Sequence, residues 1–173
     1  IIGTMNTADR SIALMDTALR RRFKFEEMLP NYDLLKDIFV EDEGIKVNIG
    51  TMLKAINERI EYLYDREHTI GHAVFLELKE NNNIDKLENI FKKSVIPLLQ
   101  EYFYEDYEKI RIVLGDNAKD EDEQFILAVS IPEDVFEGNI GDIDIPEKKY
   151  IIKYENFRNI MAYKNISKKL SDE

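Results

Sequence analysis

Two long stripes of apolar residues at helical spacing constrain this chain more than any other feature. Asn48 stands where a helix N-cap belongs, and Ile49, Met52, Leu53, Ile56, Ile60 and Leu63 then fall on one face. A second stripe begins near Asn83 and carries Leu87, Ile90, Phe91, Val95, Leu98, Leu99, Tyr102 and Phe103. Pro97 lies inside it and predicts a kink, because proline removes a backbone donor and clashes with the preceding turn. Stripes of this width serve to bury a core, so both helices read as packing faces rather than ligand surfaces.

The remainder is shorter in period. Pro30 separates an opening segment from the helical region, and the acidic stretch Phe39-Val40-Glu41-Asp42-Glu43 reads as a solvated helix end. After the turn at Gly115-Asp116-Asn117 come strand-like runs at 125–131 and 149–154, with Pro132 and Pro146 between them, and a last amphipathic helix is predicted over 156–170. With 173 residues, 44% of them hydrophobic, the chain can bury one sizeable core or two small ones. No apolar run is long enough to span a membrane, and no signal peptide is visible. The absence of cysteine excludes disulfides and thiolate chemistry and favours a reducing compartment, which makes the cytoplasm the expected location.

Charge is placed unevenly. The formal net charge of −11, from 24 basic and 35 acidic residues, argues against attraction of the whole chain to nucleic acid. Residues 1–29 are nevertheless slightly basic, and their cations concentrate at Arg20, Arg21 and Arg22. Between residues 115 and 145 Lys119 is the sole cation among ten acids, whereas 148–170 carries seven cations against Glu155. Such blocks form solvated faces, fold back on one another or meet a partner.

The opening segment carries the chemistry. Ile1 and Ile2 precede Gly3, and the apolar run stops at Asn6 and Thr7, as a buried strand does at its carboxyl end. In α/β folds that edge is where nucleotides bind, and an amide there holds a water or a terminal phosphate without adding charge; a plain turn residue is the alternative for Asn6. Asp9 or Ser11 then caps a helix through Ile12, Leu14, Met15, Ala18 and Leu19 that ends in the three arginines. Successive helical residues point roughly 100° apart, so at least one of the three faces away from the packing surface. Guanidinium is permanently charged and matched to phosphate oxygens, which suits an arginine reaching a neighbouring subunit's nucleotide. A lone arginine there would do no more than answer the helix dipole.

The stretch Met5-Asn6-Thr7-Ala8-Asp9-Arg10-Ser11, with Asp16 and then Ala18-Leu19-Arg20-Arg21-Arg22-Phe23, resembles the sensor 1 and arginine-finger segment of the McrB family of AAA+ GTPases. Ile70-Gly71-His72 with Phe75, and Ile96-Pro97-Leu98-Leu99-Gln100-Glu101-Tyr102-Phe103, are similar to that family's helical lid. The resemblance reaches from Ile1 to about Asp116 and implies GTP hydrolysis with Mg2+ in a homo-oligomeric ring, driving an McrC-like endonuclease on DNA that carries modified cytosine. It implies Asn6, Arg21, Arg22 and Arg20 as catalytic residues, Asp9, Arg10 and Asp16 as orienting residues at the subunit interface, and Gly71 and His72 as the nucleotide-proximal part of the lid. Asp16 lies one helical turn before Arg20, within reach of an ion pair. DNA contacts would rest with regions outside this chain.

None of the seven glycines is followed by lysine, so the phosphate-binding pattern G-x-x-x-x-G-K-[ST] is missing. The expectation is a piece cut within a larger nucleotide-binding domain, inactive alone. A MoxR-like ATPase shares the layout, and an adaptor that kept the lid without the P-loop is the non-catalytic alternative. His68 and His72 lie four apart, the spacing of a shared metal on a helix face, but Gly71 interrupts the helix and Thr69 stands where H-E-x-x-H has glutamate, so no metal is expected. His72 then reads either as a sensor-like lid residue or as a structural cap. The expected architecture is mainly α with minor β. Residues 1–29 end an AAA+ core, 30–115 form the helical lid, and 116–173 form an acidic strand-containing extension with a basic tail.

Overall fold

A computed structural model of the chain describes residues 2–4, 21–132, 135 and 146–167. Asn6, Asp9, Arg10, Asp16 and Arg20, and with them the predicted helix, lie outside the described residues; of the predicted buried strand, residues 2–4 are described, and they form no strand, with Ile2 fully exposed.

The described chain is helix-rich with two small antiparallel hairpins. A 3-10 turn, Tyr32–Leu35, leads into β1 (Phe39–Asp42) and β2 (Ile45–Asn48), followed by α1 (Ile49–Leu63). A 3-10 helix, His72–Lys79, precedes α2 (Ile84–Ile90), a π turn at Phe91–Val95 and α3 (Ile96–Tyr102). Then come α4 (Tyr107–Leu114), the hairpin of β3 (Ile126–Ser130) with β4 (Lys148–Ile152), and α5 (Ile160–Lys164) between short 3-10 turns. No helix among the described residues is long and apolar enough to cross a membrane.

Local chemistry explains these boundaries. Asn48 caps α1 by accepting from the Thr51 N–H at 2.8 Å, and Asn83 caps α2 by accepting from Lys86 N–H, also at 2.8 Å. The kink predicted at Pro97 takes the form of the π turn: the Ile96 N–H reaches back five residues to the Phe91 carbonyl just before the proline enters the first turn of α3. Helix α4 stops at Gly115, whose φ of +76° is the left-handed C-cap conformation, and a side chain there would press on Arg59 Nη1 at 3.3 Å.

Two expectations need correction. Residues 39–43, read as a solvated helix end, form β1 and its turn instead. Val40 faces Val47 across the hairpin and both are buried, while Glu43 and Gly44 take positive φ of 49° and 79°, as a tight two-residue turn requires. The predicted helix over 156–170 is also broken. The Asn156 amide is spent on the Glu121 and Gln124 carbonyls, and Asn159 starts the five-residue α5 by accepting from Met161 N–H.

One hydrophobic cluster runs from Leu35 to Ile166. At its centre the Phe91 ring stacks on Phe125 at 5.4 Å and meets Tyr163 edge-on at 4.8 Å, and Phe125 meets Phe157 at 5.0 Å. The basic stretch after β4 therefore folds back through its apolar residues, with Phe157, Ile160, Tyr163 and Ile166 buried. Beneath β3 lies an ion pair with both side chains buried: Lys119 Nζ is 2.9 Å from Asp116 Oδ1, and Asp116 Oδ2 accepts from Ile126 N–H at 2.8 Å.

Candidate functional site

The described residues that sequence reasoning marks for function fall into two places: Arg21 and Arg22 ahead of the Tyr32–Leu35 turn, and Gly71 and His72 on the turn after α1. Arg21 and Arg22 are both exposed. Six residues on, Glu27 pairs with Arg66 across to that same turn, and the pairing raises the Arg66 pKa.

Helix α1 ends at Leu63, and the chain turns on Asp65. Its Oδ1 accepts from the Glu67 N–H at 2.9 Å and the His68 N–H at 3.0 Å, and lies 2.6 Å from His68 Nδ1. Burial alone would push the Asp65 carboxyl up, but the hydrogen bonds from the His68 ring and from these amides outweigh it and hold the carboxyl below its ordinary value. The His68 ring is buried and lies edge-on to Tyr64 at 4.2 Å and to Tyr102 at 4.9 Å. His68 therefore staples the turn to α3.

Next comes Ile70, gripped at both backbone groups by one side chain. Asn57, buried on α1, donates through Nδ2 to the Ile70 carbonyl at 2.9 Å and accepts at Oδ1 from the Ile70 N–H at 2.7 Å. The same Nδ2 lies 3.1 Å from the Tyr32 hydroxyl, whose pKa is raised mainly by burial. Two residues on, His72 Nδ1 accepts from the Asn31 N–H at 3.1 Å. Asn31 also caps the Tyr32–Leu35 turn by accepting from the Asp33 N–H.

The two histidines are thus spent separately, His68 on Asp65 and His72 on Asn31, and α1 has ended before either is reached, so the four-residue spacing puts them on no common helical face. Among the described residues no three His, Cys, Asp or Glu side chains converge as a metal site. Sequence reasoning overlooked Asn57. Its signal was present, since it is a polar residue directly after Ile56 within the buried stripe of α1, where an amide must find partners.

Comparison with known proteins places this geometry in a family context. Residues 48–111 match the family model described as McrB, alpha-helical lid domain. The match opens on the Asn48 cap and closes inside α4, so it contains Asn57, Ile70, Gly71 and His72. The chain is 34% identical over 118 residues to the type IV methyl-directed restriction enzyme EcoKMcrB subunit of Escherichia coli (strain K12). That alignment covers 61% of this chain and 26% of the relative, so the matched region spans about a quarter of the relative's length.

Proposed function

Because the chain carries an McrB-like helical lid, we propose that it works within a restriction-system subunit that hydrolyses GTP in a homo-oligomeric ring and drives an McrC-like endonuclease on modified DNA. The observation that supports this reading best is the coincidence of the family match with the clasped turn that carries Gly71 and His72.

On this reading Asn6 holds the attacking water or the γ-phosphate, and Arg21 and Arg22, with Arg20 beside them, act across the subunit interface. Asp9, Arg10 and Asp16 orient that interface, and Gly71 and His72 face the nucleotide. The exposure of Arg21 and Arg22 suits residues whose target lies on another subunit, and guanidinium is the group whose fixed charge and planar donors best meet transferring phosphoryl oxygens. Mg2+ would come with the triphosphate, and what it would supply is neutralisation of the charge that develops there. The phosphate cradle itself is supplied from outside these residues, since G-x-x-x-x-G-K-[ST] is absent from them. A non-catalytic adaptor that retains the lid is the alternative from a different class. A MoxR-like ATPase would differ in nucleotide choice. The acidic net charge supports DNA contact through regions outside this chain, and the cytoplasm is the proposed location.

Hydrolysis assays of the full-length protein with GTP and ATP separate these readings. Arg21→Ala or Arg22→Ala should slow hydrolysis by at least ~10²-fold with nucleotide binding largely kept, a barrier change of about 3 kcal/mol. Mixing an arginine variant with a variant lacking the P-loop lysine should restore part of the activity, because each supplies what the other lacks at shared interfaces. Normal hydrolysis by the alanine variants, or no recovery in rings shown to be mixed, would remove the arginines from the mechanism. No hydrolysis of either nucleotide by the full-length protein would favour the adaptor.

A further inference from the structure

Strands β3 and β4 form a hairpin that is held firmly at its base. There Ile126 is buried and gives its N–H to Asp116 Oδ2 at 2.8 Å, while the Lys153 N–H donates to the Phe125 carbonyl at 2.9 Å. Exposure then rises outward along β3, through half-buried Leu127 and Ala128 to exposed Val129 and Ser130. Between base and tip, Tyr150 fastens the hairpin to the body. Its ring stacks on Tyr107 of α4 at 5.8 Å, and its hydroxyl donates to Glu108 Oε2 at 2.8 Å.

That carboxylate has a second claimant. Arg111 follows Glu108 by three residues on α4 and is only 9% exposed. Its Nη2 reaches Gln124 Oε1 at 3.3 Å, but its buried Nε–H meets no acceptor among the described residues. Glu108 Oε2 stands 3.7 Å from Nη1, near enough to attract the charge and too far for a hydrogen bond. A buried donor left unmet is costly, and such a group calls for an explanation. On a helix, side chains three residues apart are neighbours, so a change of torsion is enough to bring this carboxylate onto the guanidinium.

We infer that β3–β4 is a strap with a shared fastening: Glu108 holds it closed through Tyr150, and its outer part lifts when the carboxylate turns to Arg111. The closed arrangement keeps the ring stack and the phenol bond and leaves the Nε–H unmet. The open one meets the Nε–H with a charge-assisted bond and gives up the other two. Gains and losses of the same kind offset each other, which is the condition for two populated states. The hinge lies at Phe125 and Lys153, because the Asp116 bond to Ile126 holds the base in either state. Lifting uncovers the Tyr107 ring and the inner face that Ala128 shares with Tyr150 across the hairpin. The device is independent of the nucleotide reading above.

A thiol under the strap reads its lifting. This chain has no cysteine, and Ala128 is small, half-buried and directly opposite Tyr150, so Ala128→Cys in the full-length protein supplies the probe. Its alkylation rate, followed on its own peptide by mass spectrometry, should rise about 10-fold when Tyr150→Phe is added, the loss of one hydrogen bond to a charged acceptor. Glu108→Gln keeps an oxygen for the Tyr150 hydroxyl and brings no charge to Arg111, while Arg111→Met removes the competing donors. Each should slow alkylation about threefold or more, because each takes away what the open state gains. If Glu108 and Arg111 only held the structure together, both changes would loosen the strap and speed alkylation instead. A rate at or above the parent's in Glu108→Gln, with the thermal midpoint retained, would overturn the shared fastening. Should Arg111→Met fail to fold, Glu108→Gln decides alone. A rate unchanged by Tyr150→Phe would overturn Tyr150 as the fastener.

Discussion

Replacing Asn57 with alanine tests the physical basis of the lid turn directly. In the parent, Asn57 satisfies the N–H and the carbonyl of Ile70, a residue only 1% exposed, at 2.7 and 2.9 Å. Alanine would leave both backbone groups buried without partners, at about 1–3 kcal/mol each. It would also recover roughly 0.6 kcal/mol from its better helix propensity at a central position of α1. The expected net loss is about 1.5–5.5 kcal/mol, read as a lower urea midpoint with an unchanged m-value. Tyr32→Phe is the control, because it removes only the hydroxyl partner of Asn57 Nδ2 and leaves both Ile70 bonds in place; it should cost about 0.5–1.5 kcal/mol. If Asn57→Ala proved no more destabilising than Tyr32→Phe, the two Ile70 bonds would not be holding the turn.

Asp65→Asn should remove an acid-side component of stability. The Asp65 carboxyl lies below its ordinary value of 3.8 in the folded chain, so its contribution is full above that pH and disappears as pH falls through the depressed folded value. The stability difference between parent and Asp65→Asn should therefore narrow in titrations below about pH 4, and a difference independent of pH would contradict the assignment. Asp116→Ala should be severe, at about 3–5 kcal/mol, because it strands the Lys119 ammonium, whose pKa burial already lowers, and deprives Ile126 N–H of its acceptor. Thermal unfolding of Asp116→Ala against the double variant Asp116→Ala/Lys119→Met checks this, since removing the stranded charge should recover part of the loss.

The α-helical frame was legible because its signals are local. Asn48 and Asn83 stand at their caps, and the apolar residues of α1 through α3 repeat at the period of the element that buries them. The hairpin of β3 and β4 was equally visible from its apolar runs and flanking prolines. The first hairpin was not, because Glu41, Asp42 and Glu43 suggest a solvated end while the decisive facts are a positive φ at Glu43 and a cross-strand Val40 and Val47 pair. Neither can be seen in a linear count of charge. At the site, His72 could be placed on the lid from resemblance, but its commitment to Asn31 spans 41 residues and that of Asn57 to Ile70 spans 13. Contacts of that kind follow from the fold and have no period of their own.

Helix α1 shows why so much of the lid is referenced to a single element. Two of its residues, Asn57 and Arg59, are polar and turned inward, and each closes a different set of backbone groups. Asn57 holds the turn that carries His72. Arg59 donates to the Val113 carbonyl at 2.9 Å and the Ile166 carbonyl at 2.6 Å, which ties the last turn of α4 to the 3-10 turn that follows α5. Helix C-terminal carbonyls have no partner within their own helix, and an arginine fork can serve two at once. Burial lowers the Arg59 pKa, but a guanidinium stays charged under such a shift, so these bonds remain charge-assisted. A side chain at Gly115 would meet this same guanidinium. A displacement of the Ile70-Gly71-His72 turn must therefore either break the Asn57 clasp or carry α1, α4 and the turn after α5 with it. Breaking the clasp would give up two buried backbone hydrogen bonds, so movement of the turn together with α1 is favoured over movement against it.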